Sequence, residues 1–451
     1  MKEYKNELGY DILQEPQLEI QYLQESPVKP IQEKKTLKVL SLFSGCGGMD
    51  LGFEGGFSVL SESINEVLKP NFIEKKLTNG YIQLKRTNFT TVFANDILAD
   101  ARTAWINYFS KRGRRSEVFF KESIVDLVKM HRKGIEIFPQ DIDVVTGGFP
   151  CQDFSVAGKR NGFNSHKNHK GELIDRKVAS VETRGQLYMW MKEVIEITEP
   201  KIFIAENVKG LVNFGDVKSI IQSDFSSANG NGYIVLDPKI LHSADFGIPQ
   251  SRERVIFIGI KKSALRKSAL VELQKDNVSD LFSPYPSPTH SFTHSGDDLK
   301  HFVQLKDVFK HLEEPENTDD LSQKFYSKAK FMGKHCQGQT EIKLESIAPT
   351  IRSEHHGNIE FRRLSMENGG QICNELNKGL AERRLTIREC ALIQTFPPDF
   401  DFVIESKTGR KGSFLLSPSQ AYKIIGNAVP PLLAYNLAKR LEEVWDLYFM
   451  K

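Results

Sequence analysis

A cysteine becomes a nucleophile only where its thiol is held out of the core, and Thr146-Gly147-Gly148-Phe149-Pro150-Cys151-Gln152-Asp153-Phe154-Ser155 has the composition to do that. Most cysteines are inert core fillers. Here paired glycines and a proline fix a turn directly after the apolar run 142–145, so Cys151 is expected to face a cleft at a strand's carboxyl end. A second apolar run, 202–205, ends on Glu206-Asn207-Val208. A partly desolvated carboxyl there stays protonated and suits proton donation to a ring nitrogen, although a helix cap or an ion pair would use the same residues. In Gln250-Ser251-Arg252-Glu253-Arg254 the period of two puts Arg252 and Arg254 on one side, able to hold a phosphate or a base edge. Taken alone, such a charge cluster is more often solvated surface.

The turn Phe43-Ser44-Gly45-Cys46-Gly47-Gly48 follows another apolar run, and glycines at a strand's end let a ligand approach the backbone. A merely tight turn reads the same way. Asp96, closing the run 91–94, is placed to bind a ribose diol or to cap a helix, and the two roles coexist. A thiol, a carboxylic acid, paired arginines and a glycine-rich cofactor turn together describe conjugate addition to an electron-poor ring. The thiolate of Cys151 would attack C6 of a cytosine while Glu206 holds the N3/N4 edge, leaving C5 nucleophilic toward a methyl sulfonium.

These groups need a scaffold of strand ends. Short apolar runs at 37–43, 91–94, 142–146, 202–205 and 255–259 alternate with helical stretches at 102–108 and 187–198, which predicts an α/β, doubly wound parallel sheet with ligands at the strands' carboxyl ends. The alternation fails after about residue 260, where Ser283-Pro284-Tyr285-Pro286-Ser287-Pro288 begins a less regular region. Four parts are therefore expected: a polar N-terminal arm, 1–36; a catalytic and cofactor-binding domain, 37–261; a smaller irregular domain, 262–416; and a segment, 417–451, whose Gly-Asn turn and helical pattern return to the sheet.

With 451 residues, 39% hydrophobic and 26% charged, the chain can bury two or three cores. No apolar run is long enough for a membrane span and the first residues lack a secretory apolar stretch, so a cytoplasmic protein without a membrane partner is expected. Five irregularly spaced cysteines argue for free thiols. A net charge of +3 is too mild to identify or exclude a nucleic-acid partner. His166 and His169 have a metal-like spacing, but no cysteine or third histidine accompanies them, and no metal is expected.

These blocks resemble, in order, those of the bacterial cytosine-C5 DNA methyltransferases, over nearly everything from Val39 onward. The turn at Phe43, Ser44, Gly45, Gly47 and Gly48 is similar to the family's S-adenosylmethionine loop. Pro150-Cys151-Gln152 resembles the nucleophile block, Glu206-Asn207-Val208 the acid, and the Gln250 to Arg254 block the base-contacting arginines. Arg384-Leu385-Thr386-Ile387-Arg388-Glu389-Cys390 resembles the block organising target recognition, and Gly426-Asn427-Ala428-Val429-Pro430 the block returning to the cofactor. The resemblance implies a Rossmann-like methyltransferase domain with a target recognition domain at 262–416. It further implies cofactor contacts from Leu187 and Asn427, support of the nucleophile loop by Asn207, and DNA contacts from Gln152 and Ser155. Double-stranded DNA as substrate, a monomeric enzyme and a cognate restriction endonuclease as functional partner also follow from it.

The sequence departs from the family pattern at three places. Lys121-Glu122-Ser123-Ile124 stands where an Asp usually meets the adenine, leaving Ser123 or its neighbour for that contact. Roughly thirty extra residues separate the glycine turn from Asp96, and the loop after Cys151 is long and basic. Within 262–416, Arg352, His355 and His356 are the expected base-edge contacts, with an impression of enzymes reading GGNCC or GGWCC. Methylation of tRNA would keep Cys151 and Glu206, but the long recognition region favours DNA. A catalytically silent DNA-binding protein would not need an intact nucleophile, acid and cofactor turn. A nicotinamide oxidoreductase explains the glycine turn and leaves Pro150-Cys151-Gln152 unexplained.

Overall fold

The run 37–42 carries leucine or valine at four of its six positions and is buried at all but Lys38, the pattern of a strand covered on both faces, and it lies inside the molecule's main sheet. The computed structural model describes residues 36–150, 187–213, 216–293, 298–333, 335, 338–353, 359–407 and 412–449. In chain order the first strands are β1 (Leu37–Leu42), β2 (Ser58–Leu60), β3 (Ile73–Lys76), β4 (Tyr81–Leu84), β5 (Phe89–Asn95) and β6 (Phe119–Phe120). There follow β7 (Val144–Gly147), β8 (Ile202–Val208), β9 (Tyr233–Val235), β10 (Lys239–His242), β11 (Gln250–Ser251) and β12 (Glu253–Lys261). Helices α1 (Gly48–Glu54), α2 (Ala99–Phe109), α3 (Ile124–Arg132), α4 (Leu187–Thr198) and α5 (Val217–Ser226) cover the sheet.

The sheet runs β10-β12-β8-β7-β1-β5-β6, with β9 also on β12. The expected parallel, doubly wound sheet is present from β8 to the edge strand β6, and the other end departs from it. Strands β8, β7, β1, β5 and β6 are parallel, whereas β12 is antiparallel to β8, and β9 and β10 are antiparallel to β12. An apolar run reports burial and not direction, and the short β9 and β10 lead into β12 without the helical crossover a parallel neighbour requires.

Alternation along the strands sorts side chains onto two faces. Val39, Val144, Ile202, Ile204, Ile256 and Ile258 share a core with α1, α2 and the C-terminal helix Pro431–Tyr448. Leu40, Leu42, Val145, Phe203, Val255 and Phe257 pack with α3, α4 and α5. The C-terminal helix lies so close to α1 that a Cβ on Gly52 would come within 2.4 Å of both Ala434 Cβ and Pro431 O. The expected Gly-Asn turn is instead the last turn of a helix, Pro418–Asn427, started by Pro418 and a Ser417/Gln420 capping box.

The extra residues after the glycine turn fold into a small antiparallel sheet, β2-β4-β3. Beyond β12 regular structure is sparse: β13 (His290–Ser291), β14 (Lys300–His301), β15 (Ala348–Pro349), β16 (Phe361–Arg363) and β17 (Arg383–Arg384) make only two-stranded contacts. A set of buried charges holds this region. Arg383 is bidentate to Glu389 at 2.8 and 2.9 Å and reaches Glu314 at 3.0 Å. Arg363 bridges Glu314, at 2.6 and 3.0 Å, and Glu375, at 2.8 Å. Glu389 also closes a capping box with Thr386 on the helix Ile387–Ile393.

Candidate active site

Strand register lines up the sequence-predicted residues. Asn95 pairs with Leu42, Leu42 with Gly147, and Gly147 with Ala205. The next residue of each strand, at the carboxyl end, is therefore Asp96, Phe43, Gly148 and Glu206 in a row, roughly 14 Å across at about 4.8 Å per strand. Chain order reverses between β1 and β7, so this row straddles the crevice where doubly wound sheets bind ligands.

At one end of the row is the glycine turn. Phe43 and Gly45 have φ of 53° and 56°, and the Gly45 N–H donates to Asp96 Oδ2 at 2.9 Å. Asp96 Oδ1 accepts from Leu98 N, also at 2.9 Å, in the turn before α2 and not as the helix N-cap, which is Leu98; burial pushes the Asp96 carboxyl up. A Cβ on Gly45 would meet nothing within 4 Å, which leaves the backbone open to a ligand. Gly47 and Gly48 answer to a different constraint: a Cβ would strike Phe109 at 2.5 Å in one case and Val429 O at 2.2 Å in the other. Beneath the turn Asp50 is buried, and its Oδ2 accepts from Trp105 Nε1 at 2.7 Å and Ser44 Oγ at 3.2 Å. Sequence reasoning missed Asp50 and Trp105, which lie 55 positions apart with no local signal joining them.

At the other end is Glu206, 8% exposed, with Arg254 Nε 2.7 Å from its Oε1. Of the alternatives the sequence left open for Glu206, the structure shows the ion pair, with Arg254 as the partner. Its second oxygen faces Gly148, where a Cβ would lie 2.9 Å from Oε2. Asn207 is buried and donates from Nδ2 to Phe149 O at 3.0 Å, tying β8 to the chain just before Cys151. Cys151, Gln152, Ser155, His166, His169, His355 and His356 lie outside the described residues.

Arg252 requires a correction. Its N–H donates to Gln250 O at 3.0 Å, a two-residue contact that breaks the strand alternation between β11 and β12, so it does not share a side with Arg254. Its guanidinium is 1% exposed and donates to Ile351 O, Gly426 O and Ala428 O, where no phosphate or base edge is within reach. Ser123 is the N-cap of α3, its Oγ accepting from Val125 N at 3.3 Å, and Asn95 fastens that loop through Phe120 O and Glu122 O. Leu187 is buried at the start of α4, Asn427 is exposed, and Arg352 pairs with the buried Glu360 at 3.1 Å.

Residues 37–443 match the family described as C-5 cytosine-specific DNA methylase. The chain is 32% identical to the type II methyltransferase M.BsuRI of Bacillus subtilis, over 92% of this chain and 81% of that protein. It is 30% identical to the type II methyltransferase M.BspRI of Lysinibacillus sphaericus, over 90% and 81%. Among solved structures, a DNMT2 variant of Spodoptera frugiperda superposes with a TM-score of 0.51 at 17% identity, covering 91% of this chain and all (100%) of that one. The Entamoeba histolytica methyltransferase EhMeth gives 0.51 at 16%, covering 92% and 99%, a likeness of fold alone. With the family match spanning the strand ends, the acid and the C-terminal block, the chain belongs to the C-5 cytosine-specific DNA methylases and is a DNA cytosine-5 methyltransferase.

Proposed function

We propose that the chain methylates C5 of a cytosine within a short duplex sequence, using S-adenosylmethionine and a covalent bond from Cys151. The observation that carries this reading is the Glu206–Arg254 pair at 2.7 Å, one strand away from the Gly147-Gly148 turn that leads to Cys151. The open backbone at Gly45 and the lone pairs left on Asp96 fit the adenosyl group, with Phe43, Ser44, Leu187, Ser123 and Asn427 as further contacts. When bound, that group supplies an electrophilic methyl.

The chain's own residues do the rest. The target base sits inside a stack, so it is flipped out at a cost of a few kcal/mol that groove and phosphate contacts recover. Cys151 Sγ then bonds to C6, and the displaced π electrons are stabilised at N3 by Glu206, which Arg254 orients. C5 takes the methyl group, loses its proton to a base, and the returning electron pair re-forms C5=C6 and expels the thiolate. Residues 262–416, including Arg352, His355 and His356, would read the sequence, with Gln152 and Ser155 near the flipped base. The relatives are named type II methyltransferases, which is in keeping with an enzyme that protects DNA from a cognate endonuclease, and a monomer acting in the cytoplasm is part of the same proposal.

An oligonucleotide carrying 5-fluorocytosine at the modified position tests the covalent step, because fluorine cannot leave C5 as a proton does. A peptide spanning residue 151 and bearing the nucleotide is expected after digestion. A Cys151→Ser variant that still methylates would remove the thiol from the reaction.

A further inference from the structure

Gln250 and Arg252 are 0% and 1% exposed, and three distant segments meet on them. The first is residues 348–352. Ala348 and Pro349 pair with Gln250 and Ser251, Ile351 N donates to Gln250 Oε1 at 2.9 Å, and Ile351 O accepts from Arg252 Nη1 at 3.0 Å. The second is the end of the helix Pro418–Asn427, where Arg252 Nη2 donates to Gly426 O at 3.0 Å and to Ala428 O at 2.8 Å, on either side of Asn427. The third is Gln394, which accepts from Gln250 Nε2 at 3.1 Å and donates to Ile425 O at 2.9 Å. The segments touch directly as well: a Cβ on Gly426 would lie 2.2 Å from the carbonyl of Arg352.

One buried fork thus stands two residues from Arg254, one from Arg352 and one from Asn427. We propose that Arg252, alongside Gln250, which binds Ile351 N and Gln394, is the positioning residue that couples occupancy of the cofactor pocket to engagement of DNA. This rests on the roles given above to Asn427 and Arg352. A guanidinium offers five donors in a rigid plane, so it can satisfy carbonyls of both segments at once. Displacing either segment strips hydrogen bonds from a buried charge, which is costly, so the two move together. Linkage then makes the effect reciprocal: each ligand tightens the other by the same factor.

The test measures binding of S-adenosylhomocysteine by calorimetry, with and without a short duplex containing the site that the wild-type chain is found to methylate. For the wild type, duplex is expected to tighten binding about tenfold, within the usual range of such couplings. In Arg252→Lys, whose ammonium cannot span both segments, the factor is expected to fall to about one, with a cooperative melt retained. Should that variant not fold, Gln250→Met, which removes the side-chain links to Ile351 N and Gln394 while leaving the charge of Arg252, is expected to lower the factor as well. A folded variant with the wild-type factor, or a wild type without coupling, overturns the inference. A wild-type chain that binds neither ligand instead refutes the proposed function on which it rests.

Discussion

Gly148 sits against the Glu206 carboxyl group proposed above as the acid. A methyl group there would lie 2.9 Å from Glu206 Oε2, close enough to push the carboxylate off Arg254. Gly148→Ala is therefore expected to lower kcat by roughly two orders of magnitude, the scale on which a misplaced general acid acts, with cofactor affinity nearly unchanged. Single-turnover methylation beside a binding titration separates the two, and an unchanged kcat would mean the carboxylate tolerates displacement. Asp50 gives a second prediction at this scale. Burial pushes its carboxyl up to about 6, against hydrogen bonds from Ser41, Trp105 and Ser44. A folded-state value above the ordinary 3.8 means the stabilisation is present in full below about pH 3.8 and is lost as pH rises through 6, a swing of about 3 kcal/mol. Asp50→Asn cannot ionise, so its melting temperature should gain on the wild type between pH 4 and pH 7. A constant difference across that range would contradict the shift.

Among the elements, the irregular chain beyond β12 depends on charge where helices and strands are sparse. Burial acts to raise the Glu314 carboxyl, but hydrogen bonds from Arg363 and Arg383 outweigh it and hold it near about 2. Here the sign is opposite to that of Asp50: the stabilisation is full above about 4.5 and lost as pH falls toward 2. Acid should loosen this region between those values, and hydrogen exchange of the amides around β16 and β17 would register it. Glu389→Gln leaves Arg383 buried without its bidentate partner and is expected to cost about 3–5 kcal/mol in a urea titration. A loss under about 1 kcal/mol would show that the arginine finds water or another carboxylate.

For the whole molecule, what could be read in advance was local. The runs ending at Leu42, Asn95, Gly147 and Glu206 are legible because each is an apolar stretch closed by glycine or a polar pair, and register alone brings those ends together. Strand direction beyond β8 was not legible, since burial looks the same in either sense. Nor was Arg252, whose two neighbours in sequence are polar like itself and whose partners lie 99, 174 and 176 positions away. The Glu314 contacts span 49 to 69 positions for the same reason. Long-range polar closure leaves no period in a sequence.

The meeting of the glycine turn with the far end of the chain has a consequence during synthesis. Cys46 Sγ rests on Ile424 O, 378 positions later, and Val429 O covers Gly48. At about 5–20 residues per second a ribosome delivers that cover some tens of seconds after the turn itself emerges. Until then the glycine turn has no cover, and a chain cut short before residue 424 is expected to melt earlier and to lose methyl transfer, which a truncated variant in a melting and activity assay would check.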